Sequence, residues 1–380
     1  MKKSLILTSY FPPMTGGISK SLYNFYLNFP QDKIAVLTDQ KQSTEKPGNI
    51  YVKNFFCRIK IIWPKWIPMI FHTYKIVKEN NIDLLQVGQV IPHGYAALFV
   101  KKLLKKPYIV YVYGQDLLIN RPGSRKYRRI QKILNASDGI IANSSYTKKL
   151  MSDMGIKVKT TVAYPCPQIN HISLNNDELK DFKAAHDLNG KKVVLSVGNL
   201  VERKGQDNVI QAVSSLRKKI PNLRYVIVGN GPARSKLSNL IKDRGLQGLV
   251  TIHQNVSDRE LKNFYASAHV MAMPSRLLKD RLGQAKDVEG FGMVFLEANL
   301  FGLPVVGGNN GGQTDAIEDG KSGLIVDPTS IKEIEDALFR LLSDQSYAER
   351  LGEYGKKRVL EKFSWTEQAG KIINFIQDLG

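Results

Sequence analysis

Short apolar runs alternate with longer amphipathic stretches along most of the chain. The apolar runs are rich in Val, Ile, Leu and Tyr, which is typical of strands in parallel sheets. They are SLILTS (4–9), KIAVLT (33–38), DLLQV (83–87), YIVYVY (108–113) and DGIIAN (138–143) in the first half, and KVVLSVG (192–198), RYVIVG (224–229), LVTIH (249–253), VMAMP (270–274), LPVVGG (303–308) and GLIVD (323–327) in the second. Strands that alternate with helices form parallel sheets covered by helices. The pattern therefore predicts an α/β protein with two Rossmann-like, doubly wound domains facing each other across a cleft.

The domain boundary is expected in a stretch without periodicity. The segment AYPCPQINHISLNND (163–177) holds two prolines and several polar residues, as linkers do. A length of 380 residues also favours two domains. We predict domains at 1–168 and 169–363. The last stretch, SWTEQAGKIINFIQDL (364–379), has the apolar spacing of an amphipathic helix, and we expect this C-terminal helix, 364–380, to cross back to the first domain.

A glycine-rich step precedes an apolar run in DVEGFGMVFLEA (287–298). Gly290 and Gly292 loosen the chain there, and Met293, Leu296 and Leu300 mark one face of the helix that should follow. A helix N-terminus presents free amides and a positive dipole to an anion. We therefore expect a phosphate at this point.

Two glutamates, Glu289 and Glu297, flank this predicted helix start. They would lie roughly 12 Å apart if the intervening residues were wholly helical. A glycosidase carboxylate pair needs only about 5 to 9.5 Å. The larger separation is similar to the span between the sugar and the ribose of a nucleotide sugar, and carboxylates accept hydrogen bonds from hydroxyl groups at both ends.

Positive charge is concentrated in the first half of the chain. Residues 1–175 hold 26 Lys and Arg against 8 Asp and Glu, whereas residues 176–380 hold 29 against 26. The densest runs are KKLLKK (101–106) and RPGSRKYRRIQK (121–132), and the preceding RIKIIWPKWIPMIFHTYK (58–75) adds Trp63, Trp66, Met69 and Phe71. Basic charge beside aromatic residues is typical of a surface that binds an anionic membrane, and it also suits nucleic acid or a merely solvated surface.

Other features narrow the class of protein. No apolar window approaches the roughly 18 residues of a membrane-spanning helix, and the apolar run Leu5–Leu7 is too short for a signal peptide. We therefore expect a cytoplasmic chain. Cys57 and Cys166 lie far apart without a CxxC or paired histidines, so we expect reduced thiols, with neither a disulfide framework nor a metal site.

The segment EGFGMVFLEA (289–298) resembles the Glu-x7-Glu signature of the family 4 retaining glycosyltransferases, which have the two-domain GT-B fold. Five further segments match the family in its own order. They are YFPPMTGGISKSL (10–22) for the acceptor-side glycine loop, VGNLVERKGQD (197–207) for the phosphate-binding segment, VGNGP (228–232) for the second strand end, MPSR (273–276) for the loop before the signature, and GGNNGGQTDAIEDGKSGLIVDP (307–328) for the glycine turn and closing strand. The spacing between PSR and DVEGFG is similar to the spacing in a branch of the family that contains lipid-directed mannosyltransferases.

The resemblance implies a role for each matched residue at the donor. Glu289 would contact the transferred sugar, the backbone amides of Phe291, Gly292 and Met293 would meet sugar and phosphate, and Glu297 would bind ribose. Lys204, together with Arg203, would neutralise the charge that grows on the diphosphate leaving group. Gly229 and Asn199 complete the expected donor site.

On the acceptor side the resemblance points to Gly16, Gly17 and Asp116, with His93 as a candidate for a sugar-facing role. An ordinary structural hydrogen bond remains the alternative for His93, and a simple helix-entry turn for the two glycines. Two positions depart from the family. Asn199 stands where the family usually has Arg, which Arg203 can replace, and Tyr113 stands where it often has His.

The sequence thus predicts a retaining, metal-independent hexosyltransferase without cofactor, whose donor is GDP-mannose or a UDP-hexose. Its partners would be a lipid-linked or glycan acceptor and the inner face of the cell membrane, where the enzyme would be peripheral. A GT-B nucleotide-sugar epimerase and a basic nucleic-acid-binding protein are the alternatives. We expect no nucleic acid partner, because no segment resembles a recognition motif.

Overall fold

The structure is a computed structural model that describes residues 1–14, 16–41, 49–57, 64–118, 122–167 and 175–379. The chain divides into two compact units. Unit 1 consists of Met1–Cys166 and Ser364–Gly380, and unit 2 of Pro167–Phe363. The predicted boundary between residues 168 and 169 lies outside the described residues, as does the middle of the predicted linker.

Unit 1 is built on a parallel sheet of seven strands in the order β3-β2-β1-β4-β5-β6-β7. The third strand in this order, β1, pairs on both sides, with Ile6 opposite Val36 and Gln86. The strands are β1 (Ser4–Leu7), β2 (Ile34–Thr38), β3 (Ile50–Val52), β4 (Leu84–Val87), β5 (Tyr108–Val112), β6 (Gly139–Ala142) and β7 (Thr160–Val162). Its helices are α1 (Gly17–Asn28), α2 (Ile67–Glu79), α3 (His93–Leu104), α4 (Gln115–Leu118), α5 (Arg125–Asn135), α6 (Ser145–Asp153) and the C-terminal helix Trp365–Gln377.

Unit 2 repeats this plan with six parallel strands in the order β10-β9-β8-β11-β14-β15. Its strands are β8 (Lys192–Val197), β9 (Leu223–Val228), β10 (Val250–His253), β11 (Val270–Met273), β14 (Val305–Gly308) and β15 (Gly323–Val326), with a separate hairpin of β12 (Leu278–Lys279) and β13 (Ala285–Asp287). Its helices are α7 (Asn176–Ala185), α8 (Gln206–Leu216), α9 (Arg234–Asp243), α10 (Asp258–Ser267), α11 (Met293–Leu300), α12 (Gln313–Ala316), α13 (Ile331–Ser343) and α14 (Gln345–Lys362), which makes the C-terminal helix α15.

Two parallel sheets, each with the strand order of a doubly wound fold, confirm the predicted fold class. All eleven predicted apolar runs contain a strand. The strands that the pattern did not predict are β3, β7 and the β12–β13 hairpin. Each is only two or three residues long, and β3 and β7 are sheet edges, so none carries an apolar run long enough to be recognised.

Helix α15 belongs to unit 1, where it packs against α1. The Trp365 ring meets Phe25 edge to face at a centroid distance of 5.3 Å. The buried Gln368 side chain accepts a hydrogen bond from the Tyr164 amide at 3.0 Å. The end of the chain thus completes the layer of helices on this face of the first sheet.

Helix α2 corrects part of the predicted aromatic surface. Met69 is fully buried in the core of unit 1, and the Trp66 ring stacks on Tyr95 at 4.7 Å, because both side chains lie on the side of α2 that faces α3. Of the named residues that the structure describes, only Phe71 is exposed, at 62%. Trp63, with the rest of 58–63, and Arg121 lie outside the described residues.

Candidate active site

The donor residues expected from the sequence lie in unit 2, in loops that follow the carboxyl ends of parallel strands. Gly198 and Asn199 follow β8, Gly229 follows β9, and the loop after β11 leads through the hairpin to Glu289. In doubly wound sheets this edge is where ligands bind.

Glu289 is the centre of a buried polar cluster. Its side chain is only 11% exposed, and its Oε2 atom accepts hydrogen bonds from Arg203 at 2.5 Å, Lys204 at 2.6 Å and Ser275 at 3.4 Å. Its other oxygen, Oε1, has no hydrogen-bond partner within the described part of the chain. One oxygen is therefore fixed by protein donors, and the other can accept from a ligand hydroxyl.

Arg203 and Lys204 reach this carboxylate from a short 3₁₀ turn, Glu202–Lys204, after β8. The Lys204 ammonium bonds to Glu289, and its residue is 8% exposed. The Arg203 guanidinium bonds to Glu289 through one terminal nitrogen and to Asp287 Oδ2 through Nε at 3.2 Å. Two acids and two bases thus form one buried group with no net charge.

The electrostatics of the cluster follow from burial and pairing. Burial alone would raise the pKa of Glu289, but the charges of Lys204 and Arg203 and their hydrogen bonds outweigh burial and lower it to about 2. Burial lowers the pKa of Lys204. Burial opposes the charge of Arg203 as well, but Glu289 and Asp287 raise its pKa. Buried ion pairs of this kind contribute little to stability compared with apolar packing, so a ligand is the better reason for their presence.

The helix expected after the glycine step begins at Met293. Its N-cap, Gly292, has φ 97°, and a Cβ at this position would lie 2.6 Å from the Phe295 ring, so only glycine fits. The described helix α11 spans eight residues and is buried on nearly all sides from Phe295 to Leu300. Helix α11 contacts both β14 and α14, so its buried residues are not limited to the face marked by Met293, Leu296 and Leu300.

Glu297 lies inside α11 and is 7% exposed. Its Oε2 accepts a hydrogen bond from the Tyr265 hydroxyl at 3.0 Å. Burial and the adjacent Glu297 charge raise the pKa of Tyr265 far above its usual range, so Tyr265 remains a donor. Since residues 289 to 292 are not helical, the separation calculated for a continuous helix does not apply to Glu289 and Glu297.

Gly229 lies where the β9 strand end passes close to the β8 strand end. Its φ is 156°, and a Cβ would lie 1.9 Å from the Gly198 carbonyl oxygen. The backbone contact therefore excludes any side chain. Asn199, in the same loop, is exposed, and its carbonyl accepts from the Gln206 side chain at 3.3 Å.

The sequence did not single out three residues that hold the site together: Ser275, Asp287 and Gln313. The Gln313 amide is fully buried and joins two strand ends, since its oxygen accepts from the Ser275 and Gly308 amides at 3.1 and 2.9 Å. The Gly312 amide donates to the Glu289 carbonyl at 2.9 Å. Ser275 and Gln313 lie within matched segments and Asp287 lies two residues before one, but a buried side-chain amide in a glycine turn has no recognisable sequence pattern.

The acceptor-side residues lie in unit 1, around a cavity of about 410 Å³ at the carboxyl ends of β1, β4 and β5. Ser9, His93, Tyr113 and Asp116 line it. His93 Nε2 shares a hydrogen bond with Ser9 Oγ at 3.1 Å. Its Nδ1 and the Tyr113 hydroxyl are buried without a partner among the described residues.

Burial dominates the electrostatics of this cavity. It lowers the pKa of His93 to about 3 and raises the pKa of Asp116 to about 6, and it raises the pKa of Tyr113 far above its usual range. Asp116 Oδ1 accepts from the Tyr113 amide at 3.2 Å. His93 and Tyr113 are therefore neutral at pH 7 and can exchange hydrogen bonds with a ligand, whereas Asp116 is ionised above about pH 6.

Gly16 and Gly17 form the start of α1, with Gly16 as N-cap at φ 133°. Both are exposed, and the cavity is reached by the next residue, Ile18. The structure thus brings Arg203, Lys204 and Glu289 into direct contact in unit 2 and gathers His93, Tyr113 and Asp116 in unit 1.

The sequence matches two family profiles, each along most of one unit. Residues 178–358 match Glycosyl transferases group 1, and residues 15–166 match Glycosyltransferase Family 4. The chain belongs to glycosyltransferase family 4. It is therefore an enzyme that transfers a sugar from a nucleotide sugar, which supports the predicted transferase over an epimerase or a nucleic-acid-binding protein.

Relatives of this glycosyltransferase match over its whole length. A GDP-mannose-dependent alpha-(1-6)-phosphatidylinositol monomannoside mannosyltransferase of Mycobacterium tuberculosis is 27% identical, with 99% of this chain and 98% of the relative covered. A 2-deoxystreptamine N-acetyl-D-glucosaminyltransferase of Niallia circulans is 26% identical over 75% of this chain and 74% of the relative. Among solved structures, Anabaena HepE in complex with UDP-glucose superposes with a TM-score of 0.80 at 17% identity, with both chains fully covered, and shows the shared GT-B fold.

Two properties of the described residues bear on metal binding and on membrane insertion. The described ranges contain no group of three or more His, Cys, Asp or Glu placed to hold a metal ion. None of the helices in them is long and apolar enough to cross a bilayer.

Proposed function

We propose that this glycosyltransferase is a retaining, metal-independent hexosyltransferase that uses GDP-mannose or a UDP-hexose and glycosylates a lipid-linked or glycan acceptor at the membrane surface. The observation that carries the proposal is the Glu289 carboxylate, fixed through Oε2 by two cations while Oε1 remains available. A sugar hydroxyl can donate to that oxygen, with the diphosphate beside Lys204.

The remaining donor contacts follow from this placement. The backbone amides at the start of α11 are suited to a phosphate, since they carry the positive end of the helix dipole. Glu297, held by Tyr265, would accept from the ribose hydroxyls. The relatives leave the base open, because the mycobacterial enzyme is named as GDP-mannose-dependent and HepE was solved with UDP-glucose.

Lys204 supports metal independence. A buried ammonium can stabilise the negative charge that develops on the departing diphosphate, which is the task a divalent cation performs elsewhere. Transfer should proceed at an unchanged rate in excess EDTA. Loss of transfer that Mn²⁺ restores would refute this part of the proposal.

The acceptor assignment rests on the unit 1 cavity and on one surface. The cavity presents Ser9, His93, Tyr113 and Asp116 to a ligand, and hydrogen-bonding groups of this kind suit the hydroxyls of a polyol or sugar. The named acceptor of the mycobacterial relative, phosphatidylinositol monomannoside, is a lipid of this kind.

A basic face on α2, α3 and α5 suits an anionic membrane. Helices α2 and α3 pack side by side, as do α3 and α5. Phe71, Phe99 and Leu103 are exposed on it at 62%, 42% and 56%. Exposed cations lie on α5 and on or directly after α3, namely Lys102, Lys105, Arg125, Lys126, Arg128, Arg129 and Lys132. Apolar side chains among cations combine insertion with attraction to anionic headgroups.

Two of the four lysines in KKLLKK are already engaged within unit 1. Lys101 bonds to Asp138 at 2.8 Å, and Lys106 approaches Asp83 at 3.4 Å. A membrane test should therefore change Lys102 and Lys105 with Phe71 and Leu103, and spare the two paired lysines.

A ligand screen tests the donor. In thermal-shift experiments with GDP-mannose, UDP-glucose and their nucleoside diphosphates, the ligands with one of the two bases should raise Tm. The free energy of unfolding should increase by RT ln(1 + [L]/Kd). Transfer should then be measured with that donor and a phosphoinositide acceptor. A chain that binds neither base would contradict the donor assignment.

Co-sedimentation tests the basic face. Wild type should bind vesicles that contain phosphatidylglycerol more than neutral phosphatidylcholine vesicles, and added salt should weaken this binding. Changing Lys102 and Lys105 to Gln, with Phe71 and Leu103 to Ser, should abolish it. The control, Lys332→Gln with Lys242→Gln on unit 2, should have no effect. Binding unaffected by the first set would refute the assignment.

A further inference from the structure

Arg203 is held more firmly than its neighbour Lys204. Its guanidinium is 14% exposed and contacts two carboxylates, Glu289 and Asp287. Its main-chain carbonyl accepts from the Arg276 amide at 2.8 Å. Both the backbone and the side chain of Arg203 are therefore fixed before any ligand arrives.

The same contacts tie the hairpin to the phosphate-binding segment at both of its ends. Before β12, the Arg276 side chain pairs with Asp207 at 2.8 Å. At the end of β13, Asp287 pairs with Arg203. Asp287 lies two residues before Glu289, so the Arg203–Asp287 contact sets the position of the backbone that carries the sugar-facing carboxylate.

Lys204 differs in having a single acidic partner. An ammonium has three donors, and Lys204 can bond Glu289 and a phosphate at once. The planar guanidinium of Arg203 has two of its nitrogens committed to two different acids. Turning it toward a diphosphate would leave the half-buried Asp287 without its cation, which is costly.

We propose that Arg203 is a positioning residue, anchored by Asp287, that holds Oε2 of Glu289 so that Oε1 is presented to the transferred sugar. The proposal rests on the donor placement given above and reassigns Arg203 from the diphosphate to the carboxylate. The diphosphate is left to Lys204 and the amides of α11.

Variants that keep charge but alter geometry separate the two roles. In Arg203→Lys the positive charge remains, but an ammonium cannot bridge the two acids in the same plane. Asp287→Asn removes the anchor and leaves Arg203 free. If Arg203 is a positioning residue, both variants should lose kcat by about tenfold or more. The Kd for the nucleoside diphosphate should change by less than about threefold.

Direct phosphate binding by Arg203 gives the opposite result. Arg203→Lys would then keep most of its kcat, and Asp287→Asn would bind GDP or UDP at least as tightly as wild type and remain active. That pattern, measured by calorimetry with the diphosphate and by steady-state transfer, would overturn the proposal.

The pH profile gives a second readout. Removing the bridge should let the Glu289 carboxylate protonate more easily, so the acid limb of kcat/KM should move to higher pH in both variants. An unmoved acid limb would contradict the proposal. A general loss of folding would appear in the melting curves, and Asp287→Asn, which keeps the shape of the side chain, provides the test if Arg203→Lys unfolds.

Two further variants complete the design. Arg224 and Asp187 form an exposed ion pair at the opposite, amino end of β9, so Arg224→Lys and Asp187→Asn serve as matched controls and should leave kcat unchanged. Lys204→Met reports on the donor placement itself. If wild type and Lys204→Met bind the diphosphate equally, the proposed function fails; if only Lys204→Met weakens binding and the Arg203 and Asp287 variants keep wild-type kcat, the positioning role alone fails.

Discussion

The carboxyl edges of the two sheets carry polar sites of opposite character. In unit 2, Glu289, Arg203, Lys204 and Asp287 neutralise one another, and the charges of the two cations lower the pKa of Glu289 to about 2 against the effect of burial. In unit 1, burial without a compensating charge lowers the pKa of His93 to about 3 and raises that of Asp116 to about 6. Similar sheets therefore support two different electrostatic environments.

The difference indicates what each site is built to receive. A cluster of paired charges can receive a charged ligand without moving, since the Lys204 ammonium is already desolvated and in place. A cavity in which the Tyr113 hydroxyl and His93 Nδ1 have no partner among the described residues suits a ligand rich in hydroxyl groups. In the proposed function, the diphosphate therefore binds at the first site and the acceptor at the second.

Lys204→Met should have the largest effect, because it removes the buried cation closest to the leaving group. Loss of one preorganised electrostatic contact costs about 10²- to 10³-fold in kcat. The Kd for the nucleoside diphosphate should also rise by about tenfold or more. Steady-state transfer and calorimetry measure both, with the exposed Lys242→Met as the control. Full activity of Lys204→Met would refute the proposal that the charge of Lys204 stabilises the leaving group.

The two glutamates should fail differently. Glu289→Gln acts beside the reacting sugar, where positive charge builds at the anomeric carbon, so kcat should fall by about 10²-fold, or about 2.7 kcal/mol at 1.36 per decade. Glu297→Gln weakens a ribose contact made equally in ground and transition states, so the donor KM should rise instead. Kinetics with the identified donor decide the matter. A reversed pattern would mean that the donor binds in the opposite orientation.

Asp116→Asn should stabilise the protein at neutral pH. The pKa of Asp116 is raised to about 6 in the folded state from an ordinary 3.8, so stability is lost as the pH rises from 3.8 through 6. The asparagine variant escapes this loss and should melt a few degrees higher at pH 7.5, at about 2–4 °C per kcal/mol, but not at pH 3.5. Asp138→Asn, which breaks the pair with Lys101, should melt lower. A wild-type Tm for Asp116→Asn at pH 7.5 would mean that burial does not raise the pKa of Asp116.

Tyr113→Phe should have the smallest effect on folding. It removes a buried hydroxyl that lacks a partner, so stability should stay within about 1 kcal/mol of wild type or rise. The acceptor KM should rise while the donor KM is unchanged, because we propose that the acceptor and not the donor binds in the unit 1 cavity. An increased donor KM would contradict the proposal that unit 2 binds the donor and unit 1 binds the acceptor.

The sequence by itself determined the two sheets and pointed to the residues that we propose for the donor. Their apolar runs are long enough to specify buried parallel strands, and Glu289, Lys204 and Gly292 lie in motifs whose spacing is local. Short edge strands such as β3 and β7 have no such run, and they form because a neighbouring strand offers its backbone.

Only the tertiary structure decided how the charges are paired. Asp287 and Arg203 are 84 residues apart, and Gln313 reaches Ser275 across 38 residues, so no local pattern indicates either contact. The same holds for Met69 and Trp66, whose places in the core depend on the packing of α2 against α3. Contacts between side chains that are far apart in the sequence depend on packing and burial, which arise only once the sheets have formed.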